Sequence, residues 1–311
     1  MKMTRWIYCT AILLMGTIGS AQDEPAAESI EPIGKVELVQ DGYAFTEGPA
    51  WEPKSKSLFF SDIPNNSVFR LREDGSIDRF TDQSGHTNGI LIASDGKIRA
   101  CQMDGQVVEY DIKTGAATTL ADKFGGRRFN APNDLIVDAN GGIYFTDPLF
   151  RAPTPLPQTI QAVYYISPAS DDGEPRRVSR VTSDIKAPNG IGLSPDGSRL
   201  YVCPSGQSEM LVYEVLGPGK LSPAKTFCEL TQPEGKSGTG ADGIALDVQG
   251  NVYITSDLGV QIFSPAGKQI GLVEFPQKPA NVSFGGDDRK TMYVTARTGL
   301  YRVAMPIAGL H

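Results

Sequence analysis

Short runs of alternating apolar and polar residues follow one another along most of this chain, and the runs return at a regular interval. In each interval an alternating run leads into an Asp/Gly or Asn/Gly turn, and a run rich in aromatic and β-branched residues follows the turn. Residues 189–202 give one example, with the turn at Pro195-Asp196-Gly197. Alternation with a period of two is typical of β-strands, and a tight turn between two such runs indicates a hairpin. No stretch has a strong helical pattern, so the sequence predicts an all-β fold.

The interval itself predicts the architecture. Six copies of the repeat begin at Glu47, Asn88, Asn133, Asn189, Asp242 and Ala280. Their spacing of roughly 40 to 55 residues suits one four-stranded β-propeller blade per copy. We therefore expect a six-bladed β-propeller over residues 33–311 as a single domain, with a strand around residues 35–39 pairing with the last blade to close the ring. A β-sandwich is the main alternative, but it does not require six similar repeats.

The N-terminal region breaks this pattern. A positively charged start precedes an apolar run over residues 7–18, and small residues follow up to Ala21. We expect a signal peptide over residues 1–21, with a short membrane anchor as the alternative. Residues 22–32 are acidic and rich in Ala, Pro and Glu, which predicts a linker. The mature protein is therefore expected in the periplasm or outside the cell, without membrane contact after cleavage.

Composition and charge narrow the chemistry. The 311-residue chain has a formal net charge of −7 and scattered basic residues, which argues against a nucleic-acid partner. With two histidines and no Cys-x-x-Cys motif, the chain lacks the ligands of a typical Cys/His zinc site. Cys101, Cys203 and Cys228 follow the predicted signal peptide, so at most one disulfide can join them, and buried free thiols are the more common state.

The first residue of each repeat is expected to lie at the central axis. In a propeller the first strand of each blade lines the channel, so the residues just before these strands converge at one mouth. Five of the six positions carry a side-chain oxygen, and the sixth is Ala280. A single Asn-Gly or Asp-Gly pair is a common turn, but each repeat has its own hairpin turn several residues later.

The donor atoms of this ring predict the kind of ligand. Two carboxylates and two or three amides offer only oxygen, and oxygen ligands suit hard cations. We therefore expect one divalent metal, with Ca²⁺ favoured over Mg²⁺, Mn²⁺ or Zn²⁺. Ala280 leaves one sector open for water or substrate, as metal-assisted catalysis requires.

At these positions the chain resembles the family of senescence marker protein-30, gluconolactonases and related lactonases, and in particular its bacterial gluconolactonase-like branch. The resemblance extends in order over nearly the whole predicted mature chain. Its motifs are Glu47-Gly48-Pro49-Ala50-Trp51, His86-Thr87-Asn88-Gly89, Ala131-Pro132-Asn133-Asp134, Tyr144-Phe145-Thr146-Asp147-Pro148, Ala187-Pro188-Asn189-Gly190, Ala241-Asp242-Gly243, and Phe284-Gly285-Gly286-Asp287-Asp288 with Thr295-Ala296-Arg297.

The resemblance implies a six-bladed propeller that hydrolyses sugar lactones, with relatives that act on other lactones or on organophosphates. It places the metal ligands on Glu47, Asn133, Asn189 and Asp242, and the general base on Asp242. One position departs from the pattern, because Gln102 stands where many close relatives carry a glutamate. This departure puts the specificity for a sugar in doubt.

Lactone hydrolysis then needs a polarised carbonyl and an activated water, which we assign to the metal and to Asp242. Asp134 either orients Asn133 or the water, or it is a buried carboxylate bonded to backbone. The candidate substrate-binding residues are Asn88, Gln102, Arg128 and Asn130. His86 is expected at the rim and outside the catalytic set, and the proline-rich residues 153–157 form either a lid or a spacer.

Two other functions fit the same pattern. The first is a phosphotriesterase or arylesterase on the same metal, with Asp242 as the nucleophile in the phosphotriester case. The second is a propeller without enzymatic activity that binds a sugar or a protein, with a purely structural metal, since propellers host many functions. The sequence does not indicate an oligomeric state.

Overall fold

The computed structural model describes residues 29–170, 172–183, 185–236 and 238–310. Within these ranges the chain forms strands and turns, and none of them contains a helix long and apolar enough to cross a membrane. The predicted signal peptide and most of the predicted linker lie outside the described residues. Ile30, near the end of the predicted linker, is buried, and its N–H donates to the carbonyl of Ile270.

Six small sheets follow one another around a ring, and each sheet is one blade; in the first five blades the strands follow in sequence order from the axis outward. The first blade contains β2 (Thr46–Glu52), β3 (Ser57–Asp62), β4 (Ser67–Leu71) and β5 (Ile77–Thr81). The second contains β6 (Thr87–Ile92), β7 (Ile98–Gln102), β8 (Gln106–Tyr110) and β9 (Ala117–Ala121). A short hairpin of β10 (Lys123–Phe124) and β11 (Arg127–Arg128) leads to the third blade.

The remaining blades keep this plan. The third contains β12 (Leu135–Val137), β13 (Ile143–Asp147), β14 (Ala162–Ile166) and β15 (Val178–Arg180). The fourth contains β16 (Pro188–Leu193), β17 (Arg199–Pro204), β18 (Glu209–Gly217), β19 (Lys220–Leu221) and β20 (Lys225–Glu229). The fifth contains β21 (Ile244–Leu246), β22 (Val252–Ser256), β23 (Gly259–Phe263) and β24 (Gln269–Val273). The sixth contains β25 (Asn281–Gly285), β26 (Thr291–Ala296) and β27 (Gly299–Ala304). The predicted six-bladed β-propeller is thus confirmed.

The ring is closed by a strand from the beginning of the described chain. Strand β1 (Glu37–Gln40) is the outermost strand of the sixth blade and pairs antiparallel with β27. Arg302 Nε donates to Glu37 Oε2 at 2.9 Å across this pair. The expected pairing of residues 35–39 with the last blade is confirmed.

The core is divided among the interfaces between blades. Six large apolar clusters each combine residues of two consecutive blades, including the pair of the sixth and the first. The bulkiest side chains, such as Phe59 and Tyr144, are fully buried there. Burying one such side chain contributes about 1.5–3 kcal/mol, so each blade is stabilised mainly by its neighbours. The three cysteines are buried free thiols, and no disulfide joins them.

Candidate functional site

Five oxygen-bearing side chains meet at one mouth of the channel. They line a cavity of about 550 Å³, and they are Glu47, Asn88, Asn133, Asn189 and Asp242. Each comes from the beginning of the innermost strand of its blade or from the residues just before that strand. The structure therefore brings together the four predicted metal ligands and the candidate substrate contact Asn88. A smaller cavity of about 60 Å³ lies further along the axis, and Asp134 and Asn281 border it.

Hydrogen bonds between blades hold this ring in register. The N–H of Gly89 donates to the carbonyl of Asn133 at 2.8 Å, and Gly190 donates in the same way to Asp242 at 2.9 Å. Hydroxyl groups of the second strands add a further set, since Thr146 Oγ1 donates to the carbonyl of Asn189 at 2.9 Å. These bonds use the backbone carbonyls of the axial residues rather than their side chains.

Glycine follows the axial residue wherever the neighbouring strand comes too close for a side chain. A Cβ added to Gly89 would collide with the carboxylate of Asp134, and one added to Gly243 would collide with Asn281. The third and sixth blades thus carry a polar side chain at the position where the preceding blade has glycine. The Asn-Gly and Asp-Gly pairs at the axial positions therefore lie at the contacts between blades, whereas Asp196-Gly197 forms a hairpin turn.

The two acidic groups of the ring lie in surroundings that disfavour their charge. Burial raises the pKa of Asp242 to about 7, and the positive charge of Lys278 opposes this rise. Burial, with the added repulsion from Asp242, raises the pKa of Glu47 well above its usual range. A divalent cation between the two carboxylates would offset their burial and their repulsion.

The amide groups give an independent test of whether the site fits a cation. The Oδ1 atom of Asn133 is buried, and no donor in the described residues pairs with it. Leaving such an oxygen without a partner costs about 1–3 kcal/mol, and a hard cation is a natural partner for it. Asn189 donates its Nδ2 to Ser205 Oγ at 2.9 Å, which fixes the plane of this amide. The donor set therefore fits a hard divalent cation.

The site has few acidic side chains for a metal centre. Over the described ranges, no three His, Cys, Asp or Glu side chains lie close enough together to hold a metal. Glu47 and Asp242 are the two acidic residues that line the axial cavity, so the coordination of a cation would depend equally on Asn133 and Asn189. Two carboxylates balance the charge of one divalent ion.

Three of the other predicted site residues do not line this cavity. Gln102 donates to Tyr110 Oη and accepts from Gln106, so its amide is used inside the second blade. The guanidinium of Arg128 donates to the carbonyls of Met103, Phe129 and Asn130. Their contact with substrate stays a prediction.

Asn130 holds a loop in place. Its Nδ2 donates to the carbonyl of Ile160 at 3.2 Å, its Oδ1 accepts from the N–H of Gln158 at 3.0 Å, and its backbone N–H donates to Asp147. The loop between β13 and β14 is thereby anchored, and it brings Phe150 to the cavity. A substrate contact of Asn130 itself stays a prediction.

Asp134 and His86 have other partners. The carboxylate of Asp134 accepts the N–H of Leu135 at 2.9 Å, and burial raises its pKa to about 7. Its predicted role in orienting Asn133 or a water remains untested. His86 Nδ1 lies 2.9 Å from Asp104 Oδ2 and outside the cavity lining.

Several lining residues were not identified from the sequence. An apolar wall is formed by Phe45, Ile63, Pro64, Met103 and Phe150. Three positive charges come from Arg151, Lys278 and Arg297. Of these, Arg297 belongs to the motif Thr295-Ala296-Arg297, directly after the second strand of the sixth blade, and this motif is the sequence feature that points to it.

The chain is similar to a known protein family and to proteins of known activity. Residues 45–298 match the family model described as SMP-30/Gluconolactonase/LRE-like region. A gluconolactonase from Zymomonas mobilis subsp. mobilis is 29% identical over 291 residues, which cover 86% of this chain and 80% of that protein.

Solved structures agree with this match. A gluconolactonase from Xanthomonas campestris is 27% identical with a TM-score of 0.80, and the match covers 89% of this chain and 94% of that one. A calcium-binding protein, regucalcin from Agrobacterium tumefaciens strain C58, is 20% identical with a TM-score of 0.73, covering 88% of this chain and 94% of that one. At 20% identity, the match to regucalcin shows a similar fold and nothing further.

Proposed function

This chain belongs to the SMP-30/gluconolactonase/LRE-like family, and we propose that it hydrolyses the ring ester of a sugar-derived lactone at the axial cavity. The observation that supports this most directly is the convergence of Glu47, Asn133, Asn189 and Asp242 on one cavity of about 550 Å³. The similar proteins from Zymomonas mobilis and Xanthomonas campestris are gluconolactonases, which supports a lactone as the substrate class.

We propose that these four residues hold one divalent cation, with Ca²⁺ favoured because every donor is an oxygen atom. The unpaired Oδ1 of Asn133 and the two buried carboxylates support this assignment. When bound, the cation supplies Lewis-acid polarisation of the ester carbonyl and stabilises negative charge on its oxygen.

Asp242 is the proposed general base. Its carboxylate takes a proton from the attacking water while the water oxygen bonds to the carbonyl carbon. The ring C–O bond then breaks, and the leaving alkoxide takes the proton that Asp242 holds, which gives the open hydroxy acid and restores the carboxylate. Asn88 lines the same cavity, where its Nδ2 lies 3.8 Å from Met103 Sδ, and it is the proposed substrate contact. Phe45, Met103 and Phe150 limit the access of water to the reacting ester.

The test is turnover of a neutral sugar lactone with and without the cation. Purified protein is treated with a chelator, dialysed, and assayed on glucono-δ-lactone with Ca²⁺, Mg²⁺, Mn²⁺ or Zn²⁺ restored separately, and the spontaneous rate is subtracted. We expect hydrolysis that the chelator abolishes and that Ca²⁺ restores. Activity that is unchanged by chelation contradicts the role of the metal.

The same assay separates the alternatives. Turnover of a phosphotriester or an aryl ester without turnover of any γ- or δ-lactone favours the phosphotriesterase or arylesterase function at this site. Absence of turnover on all three substrate classes, with each metal present, favours a binding propeller with a structural metal.

We also propose that residues 1–21 direct export to the periplasm or the exterior. The test is the mass of the mature protein recovered from its native host. An N-terminus at residue 22 supports the proposal, and an intact N-terminus in a membrane fraction favours the anchor.

A further inference from the structure

We propose that the axial cavity is selective for lactones that carry an anionic substituent, and that Arg297 and Lys278 form the subsite for that anion. The inference rests on the proposed lactonase function and specifies its substrate class. The shared chemistry is a carboxylate or a phosphate attached to the lactone ring or its side chain.

Arg297 lines the mouth, and within the described part of the chain its guanidinium has no hydrogen-bond or ion-pair partner. Its backbone has a φ of 50°, and its carbonyl accepts the N–H of Thr46 at 2.7 Å, directly beside Glu47. The guanidinium carbon lies 5.3 Å from the ring centroid of Phe45, so a cation–π contact orients the side chain. A planar guanidinium presents paired N–H donors that match a carboxylate or a phosphate.

Lys278 lies just before the sixth blade and lines the same cavity. Its Nζ is 2.5 Å from Asp257 Oδ1, while Lys236 Nζ is 3.2 Å from Asp257 Oδ2. One carboxylate thus faces two ammonium groups and neutralises one of them. Lys278 is therefore held in place without losing its attraction for a further anion.

The balance of charge around the cavity favours an anion. Its charged lining consists of Glu47, Asp242, Arg151, Lys278 and Arg297. A divalent cation would cancel the two carboxylates, which leaves three positive charges around a ligand. A neutral sugar lactone would meet these charges without a matching group, whereas an anionic lactone gains charge-assisted hydrogen bonds.

The apolar wall of the cavity also disfavours a neutral sugar lactone. Phe45, Ile63 and Met103 offer no hydrogen bonds to the several hydroxyl groups of a neutral sugar, and Ile63 and Met103 form a small buried cluster. Beyond the proposed metal ligands and Asn88, polar recognition of the substrate therefore depends mainly on the positively charged groups of the lining, which include Arg297 and Lys278.

The experiment compares two lactones that differ only at the terminal carbon. The γ-lactone of gluconic acid ends in a hydroxymethyl group, and the corresponding γ-lactone of glucaric acid ends in a carboxylate. A phosphorylated gluconolactone is the third substrate and separates phosphate from carboxylate selectivity. For the wild-type protein with Ca²⁺, we expect kcat/KM to be at least about tenfold higher for an anionic lactone.

Two variants test the subsite. Arg297→Gln and Lys278→Gln should each reduce the preference for the anionic lactone by about tenfold, mainly through KM, because a charged hydrogen-bond partner is lost. Arg297→Lys should retain part of the preference. Increasing ionic strength should lower kcat/KM for the anionic lactone more than for the neutral one.

The matched control is Arg289→Gln. Arg289 lies in the same blade with a φ of 56°, but at the opposite end of the β25–β26 hairpin, where it donates to the carbonyl of Leu310. This variant should keep the wild-type preference. Melting temperatures of all variants exclude unfolding as the cause of any loss.

The outcomes distinguish failure of the anion subsite from failure of the lactonase function. Hydrolysis of the neutral lactone at an equal or higher kcat/KM overturns the anion subsite but leaves the lactonase function intact. Equal losses on both lactones in Arg297→Gln also overturn it, since the charge would then serve the carboxylate product that every lactone yields. No turnover of any lactone overturns both.

Discussion

At one mouth of the channel Asp242 is withdrawn from water, and burial raises its pKa to about 7. At the other mouth Asp196 lies in an exposed hairpin turn, where hydrogen bonds from Ser194 and Ser198 lower its pKa to about 2. Both residues precede a glycine in the same repeat pattern. The difference shows that position along the blade, rather than residue type, decides whether the charge of an aspartate is disfavoured or stabilised.

The physical causes differ, because burial acts on Asp242 and hydrogen-bond donors act on Asp196. Asp196 Oδ1 accepts the N–H of Ser198 at 3.0 Å and two serine hydroxyls, so its charge is satisfied within the turn. Asp247 behaves alike in the fifth blade, accepting the N–H groups of Gln249 and Asn251. At the axial mouth Glu47 accepts one backbone N–H, from Gly48 at 3.0 Å, and burial still raises the pKa of both Glu47 and Asp242.

The largest effect is expected from exchanging the two aspartates for asparagine. Asp242→Asn should reduce kcat for lactone hydrolysis by about 10²–10⁴-fold, because the proposed base is lost while an oxygen donor remains. Asp196→Asn should leave kcat within about twofold, since surface changes rarely act at a distance. The measurement is steady-state hydrolysis with saturating Ca²⁺. Equal rates for both variants would remove Asp242 from the mechanism.

Stabilisation by the cation should depend on the unpaired amide. At a Ca²⁺ concentration a hundredfold above Kd, the wild-type protein should gain about 2.7 kcal/mol of stability, and a chelator should remove it. Asn133→Ala should lose most of this gain, whereas Asn140→Ala, in an exposed turn of the opposite mouth, should keep it. Thermal unfolding with and without Ca²⁺ measures both.

The metal-free protein supplies a second readout for the same pair. A purely structural role of the Asn133 amide would lower the melting temperature of Asn133→Ala in the presence of chelator. We expect little change there, because the buried Oδ1 has no partner to lose in the described structure.

A smaller effect is expected at the seams between blades. Gly243→Ala should destabilise the protein by about 1–3 kcal/mol, since the added Cβ forces the backbone of Asn281 to move. Gly206→Ala is the control, because its Cβ would enter open space. Denaturant unfolding gives both values, and equal stability of the two variants would contradict the close approach of the strands.

The smallest effects concern the pH dependence of stability, and the two ends should respond with opposite signs. The pKa of Asp196 is lowered in the folded protein, so its contribution is present above about pH 4 and is lost as the pH falls toward 2. Burial raises the pKa of Asp147, near the axial mouth, to about 7. Folding then binds a proton, and stability falls as the pH rises from about 4 to 7.

Asparagine variants check these signs. Asp196→Asn should reduce the slope of the acid limb of the stability curve, and Asp147→Asn should reduce the decline toward neutral pH, to which Asp134 and Asp242 also contribute. Chemical unfolding at several pH values provides the measurement, and the same slope in both variants would contradict the opposite assignments.

The fold could be predicted because its information is periodic. Each repeat predicts the same hairpin, so six weak signals support one another. The position at the start of the first strand identifies Glu47 and Asp242 together. Closure by β1 followed from the need of a ring to leave no open edge. The hairpins and the axial positions are properties of a single blade, so they can be predicted without knowledge of distant contacts.

The rest of the site could not be read in this way. Arg151 and Lys278 lie outside the blade strands, and they meet only because the ring folds back on itself. Asn130 has the residue type and the position of a ligand-binding amide, yet its partners Gln158 and Ile160 are about thirty residues away. The sequence cannot distinguish an amide that binds substrate from one that satisfies backbone groups.

The closing pair of β1 and β27 has a consequence for how the protein folds. The ion pair between Glu37 and Arg302 joins positions 265 residues apart. Until they meet, the sixth blade has an unpaired edge that can pair with another chain. Contacts of such long sequence separation form slowly, so closure of the ring is a natural candidate for the late step of folding. Strands β1 and β27 are thus the outer strands of the same blade whose axial end is flanked by Lys278 and Arg297.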